Sequence, residues 1–329
     1  MRILLAALFA ITVQIVPRPA PHNVFGQRAP RSLRVMTWNV GSNSVVPHAG
    51  LRREVAGVPV GGRPAAFARV VRAVRPDVAC LQEFTSGSAY AARLFDAILP
   101  LPGGARWHGY AALGNVIVSR YPLADTTRHT LRSMLSQRAY AVAALVLPDT
   151  LRIAGAVVVC THLQSGGGTS NVAFRMRQAV AIVGELARRD SVRSRAALPR
   201  LSAIVLGDLN AIDTPASYID TLLRWPLTDA LPLHNAFADR QRALAMVGAN
   251  APSYTWRDDR QRYAPGRLDR VLFDPGAFTA DGAFVLETRS LDPGVRQRLG
   301  LDADDTVRDP RAGWVDHLPV VVDLAARAR

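Results

Sequence analysis

The 329-residue chain contains no lysine, so the 40 basic residues behind its formal net charge of +14 are all arginine. Two readings of that charge stand side by side. It can draw phosphate-bearing partners through its long-range field, or it can record a coding bias toward Ala and Arg with no ligand in view. Cysteine is almost as scarce. Cys80 and Cys160 are the only two; neither belongs to a Cys-x-x-Cys pair, which argues against a cysteine metal site, and two cysteines make no disulfide framework, so their pairing stays open. Each sits inside an apolar run, where a buried thiol is the default expectation and the redox compartment stays open. The seven His show no His-x-His or His-Glu-x-x-His spacing, which argues against zinc. No repeat at solenoid spacing occurs, and no apolar run reaches the roughly 20 residues of a membrane span.

A composition of 49% hydrophobic and 20% charged residues fits one large soluble α/β domain. Arg2 precedes a run from Ile3 to Val16 broken only by Thr12 and Gln14, which reads as the charged and apolar regions of a secretory signal. The following Val16-Pro17-Arg18-Pro19-Ala20 lacks a clean pair of small residues for cleavage, so a retained N-terminal anchor is the alternative. The expected division is a leader or anchor plus linker over residues 1–31, then one domain over residues 32–329, secreted or periplasmic, or else held at a membrane.

Within that domain, Leu33 to Trp38 and Val78 to Leu81 are the first predicted strands, with a Gly/Pro-rich surface loop from Gly41 to Gly62. Phe67, Val70, Val71 and Val74 recur at helical spacing, and Pro76 closes that helix. Further strands are predicted at Asn115 to Ser119, Ala141 to Leu147, Gly155 to Cys160, Ala203 to Leu206, Leu268 to Phe273, Ala283 to Leu286 and Pro319 to Leu324, many of them Val-rich. Met176, Val180, Val183 and Ala187 mark the expected apolar face of a second helix. Strand pairs that follow one another directly disfavour a purely parallel sheet, so two packed mixed sheets with helices outside is the expected α/β architecture.

Six short polar motifs stand at the edges of these runs: Thr37-Trp38-Asn39, Leu81-Gln82-Glu83, Thr161-His162-Leu163, Gly207-Asp208-Leu209-Asn210, Leu268-Asp269-Arg270 and Asp316-His317-Leu318. Phosphodiester hydrolysis needs charge screened, a water activated and a leaving oxygen stabilised, work that a divalent cation shares with nearby acids and bases. Glu83 and Asp316 are candidate metal ligands with Asn39 beside them, and such hard oxygen donors favour magnesium or manganese. In extended backbone Asp316 and His317 point to opposite sides, so one can hold metal while the other meets phosphate. His317 needs an orienting partner, for which Asp269 is the candidate; the competing reading pairs Asp269 with a flanking Arg. Asp208 can align or deprotonate water while Asn210 donates to a phosphoryl oxygen, although Gly-Asp-Leu-Asn taken alone is also an ordinary turn. His162 can sit over the phosphate or leaving group. Asn115 and Tyr254-Thr255-Trp256 are explained as readily by packing. Arg257, Arg260, Arg262 and Arg267 are expected near the mouth of the site, and the basic run from Arg188 to Arg200 is expected to solvate a helix end.

Taken in order, the six motifs resemble the endonuclease/exonuclease/phosphatase superfamily over about residues 33 to 324. The resemblance implies a four-layer α-β-β-α sandwich with its site at one end of the two sheets. It implies Glu83 as the main metal ligand with Asn39 and Asp316 around the ion, and His162, Asp208, Asn210, Asp269 and His317 as catalytic residues. Arg175 and Gln178 resemble an architectural feature of the family on the helix after Thr161-His162-Leu163. Val315 stands before Asp316 where the family often has Ser, and the long stretches Gly41 to Gly62 and Leu291 to Gly313 match no subfamily and are expected to choose the substrate.

The leading expectation is a magnesium-dependent phosphodiesterase acting as a monomer, with nucleic acid slightly favoured by the basic charge. A phospholipid, sphingomyelin or sugar-phosphate esterase is the alternative, for which no exposed amphipathic helix is evident. The calcineurin-like phosphatases are disfavoured, because Asp208 does not begin Gly-Asp-x-x-Asp and no Gly-Asn-His follows. A non-catalytic binding module is disfavoured because every required residue type is present.

Overall fold

A computed structural model of the protein describes residues 28, 31–41, 53–55, 58–60, 64–133, 137–210, 219–224, 227–230, 254–257, 266–306 and 316–327. Of the expected leader or anchor plus linker over residues 1–31, all but Arg28 and Arg31 lie outside them, as do Arg260 and Arg262. No helix among the described residues is long and apolar enough to cross a membrane.

One six-stranded sheet contains β1 (Leu33–Asn39), β4 (Val78–Gln82), β5 (His108–Ala112), β6 (Asn115–Ser119), β13 (Phe278–Val285) and β14 (Val320–Ala326), in the spatial order β13-β14-β1-β4-β6-β5. The second contains β7 (Leu123–Leu131), β8 (Arg138–Leu145), β9 (Ala156–His162), β10 (Ser202–Asp208), β11 (Thr228–Asp229) and β12 (Asp269–Phe273), ordered β11-β12-β10-β9-β8-β7. Both are mixed: β1 runs parallel to β4 and antiparallel to β14, while β10 runs parallel to β9 and antiparallel to β12. Among the described residues the α-helices are α1 (Pro64–Val74), α2 (Ser88–Ile98), α3 (Thr169–Arg195), α4 (Ile219–Arg224) and α5 (Pro293–Arg298).

Three apolar clusters correspond to the three interfaces of a four-layer sandwich. Met36, Trp38, Ala79 and Leu81 pack under α1 and α2 through Phe67, Val70, Leu94 and Phe95. Leu33, Val35, Cys80, Val158, Cys160, Ile204 and Leu206 fill the space between the sheets. Val157, Val159, Ala203 and Val205 meet Ala179, Ile182 and Leu186 of α3 and Leu222 of α4. Alternate residues of one strand thus serve different layers, as the pleat requires. The same parity carries the central layer outward from Leu33 and Val35 to Asn39, from Val158 and Cys160 to His162, and from Ile204 and Leu206 to Asp208.

Several expectations need correction. Cys80 and Cys160 are not free thiols but a disulfide that joins β4 to β9, one from each sheet. The α3 residues Met176 and Val180 are exposed rather than core. The buried face is instead Arg175, Gln178, Ala179, Ile182, Glu185, Leu186 and Arg189, so four polar residues disguise it from a hydrophobicity count. They remain inside because they are paired: Gln178 Oε1 accepts from Gln164 N at 2.8 Å, Arg175 donates to Gln164 O at 2.9 Å, and Glu185 holds Arg189 at 2.7 Å. Met176 and Val180 are thus two exposed apolar side chains one turn apart, while Val183 of the expected face packs on the core. Within Gly41 to Gly62, β2 (Arg53–Val55) and β3 (Val58–Val60) pair antiparallel, where only loop was expected. Leu291 to Gly313 likewise contains α5, and its Asp305 takes two bonds from Arg69 of α1 at 2.6 and 2.9 Å.

Candidate active site

Strand register assembles half of the site. Asp208 on β10 stands beside His162 on parallel β9 and beside Asp269 on antiparallel β12, giving one row across three strands. Gly207 permits that row, because a Cβ there would lie 2.0 Å from the Thr161 carbonyl oxygen. In the facing sheet, β1 ends at Asn39 opposite Gln82, and the chain then turns through Glu83 at φ 59°. A left-handed backbone costs a residue with a side chain of order 1–3 kcal/mol. Here it is fixed by Phe84 N donating to Gly114 O at 3.0 Å and Val40 N to Gln82 O at 3.1 Å.

The two rims meet through Asn39, whose amide nitrogen donates to Glu83 Oε1 and to Asp208 Oδ2, both at 3.1 Å. Asp208 Oδ2 also lies 3.2 Å from His162 Nε2 and 3.6 Å from His317 Nε2. His317 Nδ1 bonds Asp269 Oδ2 at 2.8 Å, and its Nε2 is 3.9 Å from Asp316 Oδ1. Asn210 N donates to Asp208 Oδ1 at 2.9 Å, and the Asn210 amide is tied to Leu163 O at 3.0 Å. All eight residues singled out from the sequence therefore belong to one connected cluster. Asp269 partners His317, and the neighbouring Arg270 takes Asp229 instead, at 3.1 Å.

Three further residues belong here: Arg138, which the sequence did not single out, and Thr255 and Trp256, which it offered as pocket-shaping or as packing residues. Arg138, at the first position of β8, donates from NH1 to His162 Nδ1 at 3.1 Å. Because a guanidinium only donates, Nδ1 is the acceptor and the neutral ring carries its proton on Nε2, toward Asp208. Trp256 Nε1 donates to Asp316 Oδ2 at 2.8 Å, and Thr255 Oγ1 accepts from Leu268 N and Asp269 N at 3.0 Å each. The Tyr254-Thr255-Trp256-Arg257 segment ahead of Arg267-Leu268-Asp269 is the only sequence signal for that scaffold. Arg138 had none, since no motif flanks it at the head of β8. Arg257 reaches the site through its backbone, N donating to Asp316 O at 3.0 Å. Arg188 and Arg189 clasp Glu185, so part of the basic run from Arg188 to Arg200 is internally paired.

Burial dominates the titration of the cluster. It pushes His162 down to about 4, with Arg138 adding to the effect and Asp208 opposing it, so the imidazole is neutral near pH 7. For His317 burial also acts downward, but Asp269 and Asp208 overcome it and hold the ring up at about 10. Burial works to raise Asp208, yet His162, His317, the Asn210 N–H and the Asn39 amide leave it below the usual carboxylate range. Asp269 is pushed up by burial to about 6, against the pull of His317. Burial lowers Arg138, with Asp208 and Glu83 opposing.

The donor set fits a hard divalent cation. Four carboxylates, Glu83, Asp208, Asp269 and Asp316, outnumber the two cations His317 and Arg138, and an uncompensated negative excess at a half-buried rim is costly. Asp208, Asp269 and His317 have ligand atoms within 4.8 Å of one another. That trio reads better as an acid–base relay, because the His317–Asp269 bond already occupies one atom of each. Glu83 and Asp316 are the half-exposed carboxylates. Asn39 faces Glu83 with its amide nitrogen, while its oxygen accepts from Gly41 N at 3.1 Å, so ligation through Oδ1 requires the amide to rotate.

Solved structures share this fold. The human nocturnin catalytic domain with bound sulfate aligns at TM-score 0.54 and 20% identity, over 91% of this chain and 96% of that one. A Bacteroides thetaiotaomicron mannosyl-6-phosphatase aligns at 0.55 and 17%, over 89% and 100%. D. rerio TDP2 complexed with a single-strand DNA product aligns at 0.54 and 14%, over 89% and 98%. No curated protein sequence matches. The Endonuclease/Exonuclease/phosphatase family profile matches residues 36–291, most of the chain, and the protein therefore belongs to that family, whose members are phosphoric ester hydrolases.

Proposed function

We propose that the chain is a divalent-metal-dependent phosphodiesterase, with nucleic acid as its first substrate class. The observation that carries this reading is the Asn39 amide, which ties Glu83 of one sheet to Asp208 of the other within the His162–Asp208–His317–Asp269 network. Magnesium or manganese, held by Glu83 and Asp316 with Asn39 alongside, would screen the phosphate and stabilise the departing oxygen. Asp208, ionised and fixed by Asn210 N, aligns the attacking water. Charged His317 presents its Nε2 proton to a phosphoryl oxygen while Asp269 holds Nδ1. Neutral His162 acts as a hydrogen-bond donor rather than a strong acid, and Arg138 behind it offers a guanidinium to the substrate's phosphate. Asn210 completes the donors around developing charge.

The net charge of +14 favours a polyanionic substrate. A lipid-headgroup ester is the second reading, favoured by exposed Met176 and Val180 on α3. Secretion is part of the same proposal: the Cys80–Cys160 disulfide suits an oxidising compartment and so supports reading residues 1–31 as a leader or anchor. To test the substrate class, the protein with magnesium is incubated with plasmid DNA, RNA, sphingomyelin vesicles and inositol phosphates, each with and without chelator. Chelator-sensitive cleavage of DNA or RNA is expected. Release from vesicles or inositol phosphates alone would move the assignment to the second reading, and no release from any would remove it.

A further inference from the structure

An arginine cluster lies at the end of the first sheet opposite Glu83. Asp77 immediately precedes β4 and Glu83 immediately follows it, which separates the two by about 20 Å at roughly 3.3 Å per residue. Register brings Asp77, Arg120 and Trp107 to that distal end, because Val78 pairs with Ser119 and Ser119 with His108. There a cavity of about 310 Å³ is lined by Arg28, Arg34, Arg75 and Arg120, with residues 99–102 as its largely apolar wall.

The arginines do not cancel one another's surroundings equally. Arg34 is structural, bonding both Asp323 oxygens at 2.7 Å and Val74 O at 3.0 Å. Arg28 and Arg120 each give one nitrogen to buried Asp77, at 2.5 and 3.0 Å, and both side chains remain one-third exposed. Arg75 is exposed and has no carboxylate partner among the described residues. Four guanidiniums thus face two carboxylates that lie behind them. The carbonyls of the nearby helix ends do not make up the deficit, since Arg72 takes Ile98 O and Trp107 Nε1 takes Leu99 O.

We infer that this distal pocket binds a multiply charged phosphate, such as a pyrophosphate or phosphomonoester group, between Arg28, Arg75 and Arg120. Planar guanidinium forks match phosphate oxygens, and two of these keep unspent donors after pairing with Asp77. The site is independent of the phosphoesterase reading of the other rim. The test titrates inorganic pyrophosphate into the full chain by calorimetry, with chelator present so that metal-linked binding at the catalytic rim is silent. Saturable binding is expected, weakened roughly tenfold or more by Arg75→Ala and unchanged by Glu83→Ala. Arg75 holds no structural pair among the described residues, so its variant should keep the native circular dichroism spectrum. Absence of saturable binding, wild-type affinity in Arg75→Ala, loss of binding in Glu83→Ala, or equal affinity for citrate would each overturn the assignment.

Discussion

Asn39 and Asp208 lie on different sheets, yet the Asn39 amide nitrogen donates to Asp208 Oδ2 at 3.1 Å. The same nitrogen donates to Glu83, so one side chain sets the spacing between the proposed metal-binding and water-aligning carboxylates. Asn39→Ala should lower kcat by about 100-fold, the scale of losing a preorganised polar contact at the reacting centre, while leaving thermal stability nearly unchanged. Single-turnover rates alongside a melting curve check this; a kcat within twofold of wild type would refute it.

His317 is held at about 10 mainly because Asp269 and Asp208 outweigh its burial. With charged His317 as the donor to phosphate, activity should persist into alkaline pH and fall only as that proton is lost. Asp269→Asn removes the stronger carboxylate, so the alkaline limb of the pH–rate profile should move down toward the ordinary imidazole range near about 6.5. An alkaline limb in the same place in both proteins would separate Asp269 from the charge state of His317.

His162 carries the opposite stability signature. Its folded value of about 4 lies below the ordinary 6.5, so its neutral form stabilises the fold above pH 6.5, and that contribution is lost as pH falls toward 4. Linkage puts the loss at up to about 3 kcal/mol. Urea unfolding from pH 7 to 4 should therefore show a shallower decline for His162→Gln than for wild type, and parallel curves would contradict the buried neutral ring.

Gly207 is required by contact rather than by turn chemistry. An added Cβ would meet Thr161 O at 2.0 Å, which only a shift of β10 against β9 can relieve. Gly207→Ala should cost roughly 1–3 kcal/mol, as overpacking generally does, and should lower activity because His162 and Asp208 sit on the two strands pushed apart. Wild-type melting and turnover in Gly207→Ala would show that the strands separate freely.

The Cys80–Cys160 bond closes a sequence separation of 80 residues between the sheets. On the chain-entropy account its loss costs about 4.5 kcal/mol. The Cys80→Ser/Cys160→Ser double variant should unfold at clearly lower urea, and a reducing agent should destabilise the wild type but not the variant. Equal midpoints would remove the disulfide from the energetics.

Much of the site was legible because each motif ends a strand whose inward parity is set by apolar residues behind it. Val158 and Cys160 lead to His162, and Ile204 and Leu206 lead to Asp208. What stayed hidden had physical causes. Arg138 opens β8 with no neighbouring signature, and the Cys pairing depends on two strands meeting across the core. The face of α3 was misread because its buried side carries Arg175, Gln178, Glu185 and Arg189, each satisfied by partners distant in sequence or a turn away. The edge strand β7 was missed for the related reason that its exposed residues leave no apolar run.

Calorimetric titration of manganese into the wild type and Glu83→Ala, with DNA hydrolysis followed on the same samples, tests the central proposal most directly. Saturable binding that restores hydrolysis after chelation is expected in the wild type. Both should be lost in Glu83→Ala, whose circular dichroism should remain native. Hydrolysis that survives chelation, or that persists in Glu83→Ala, would contradict it.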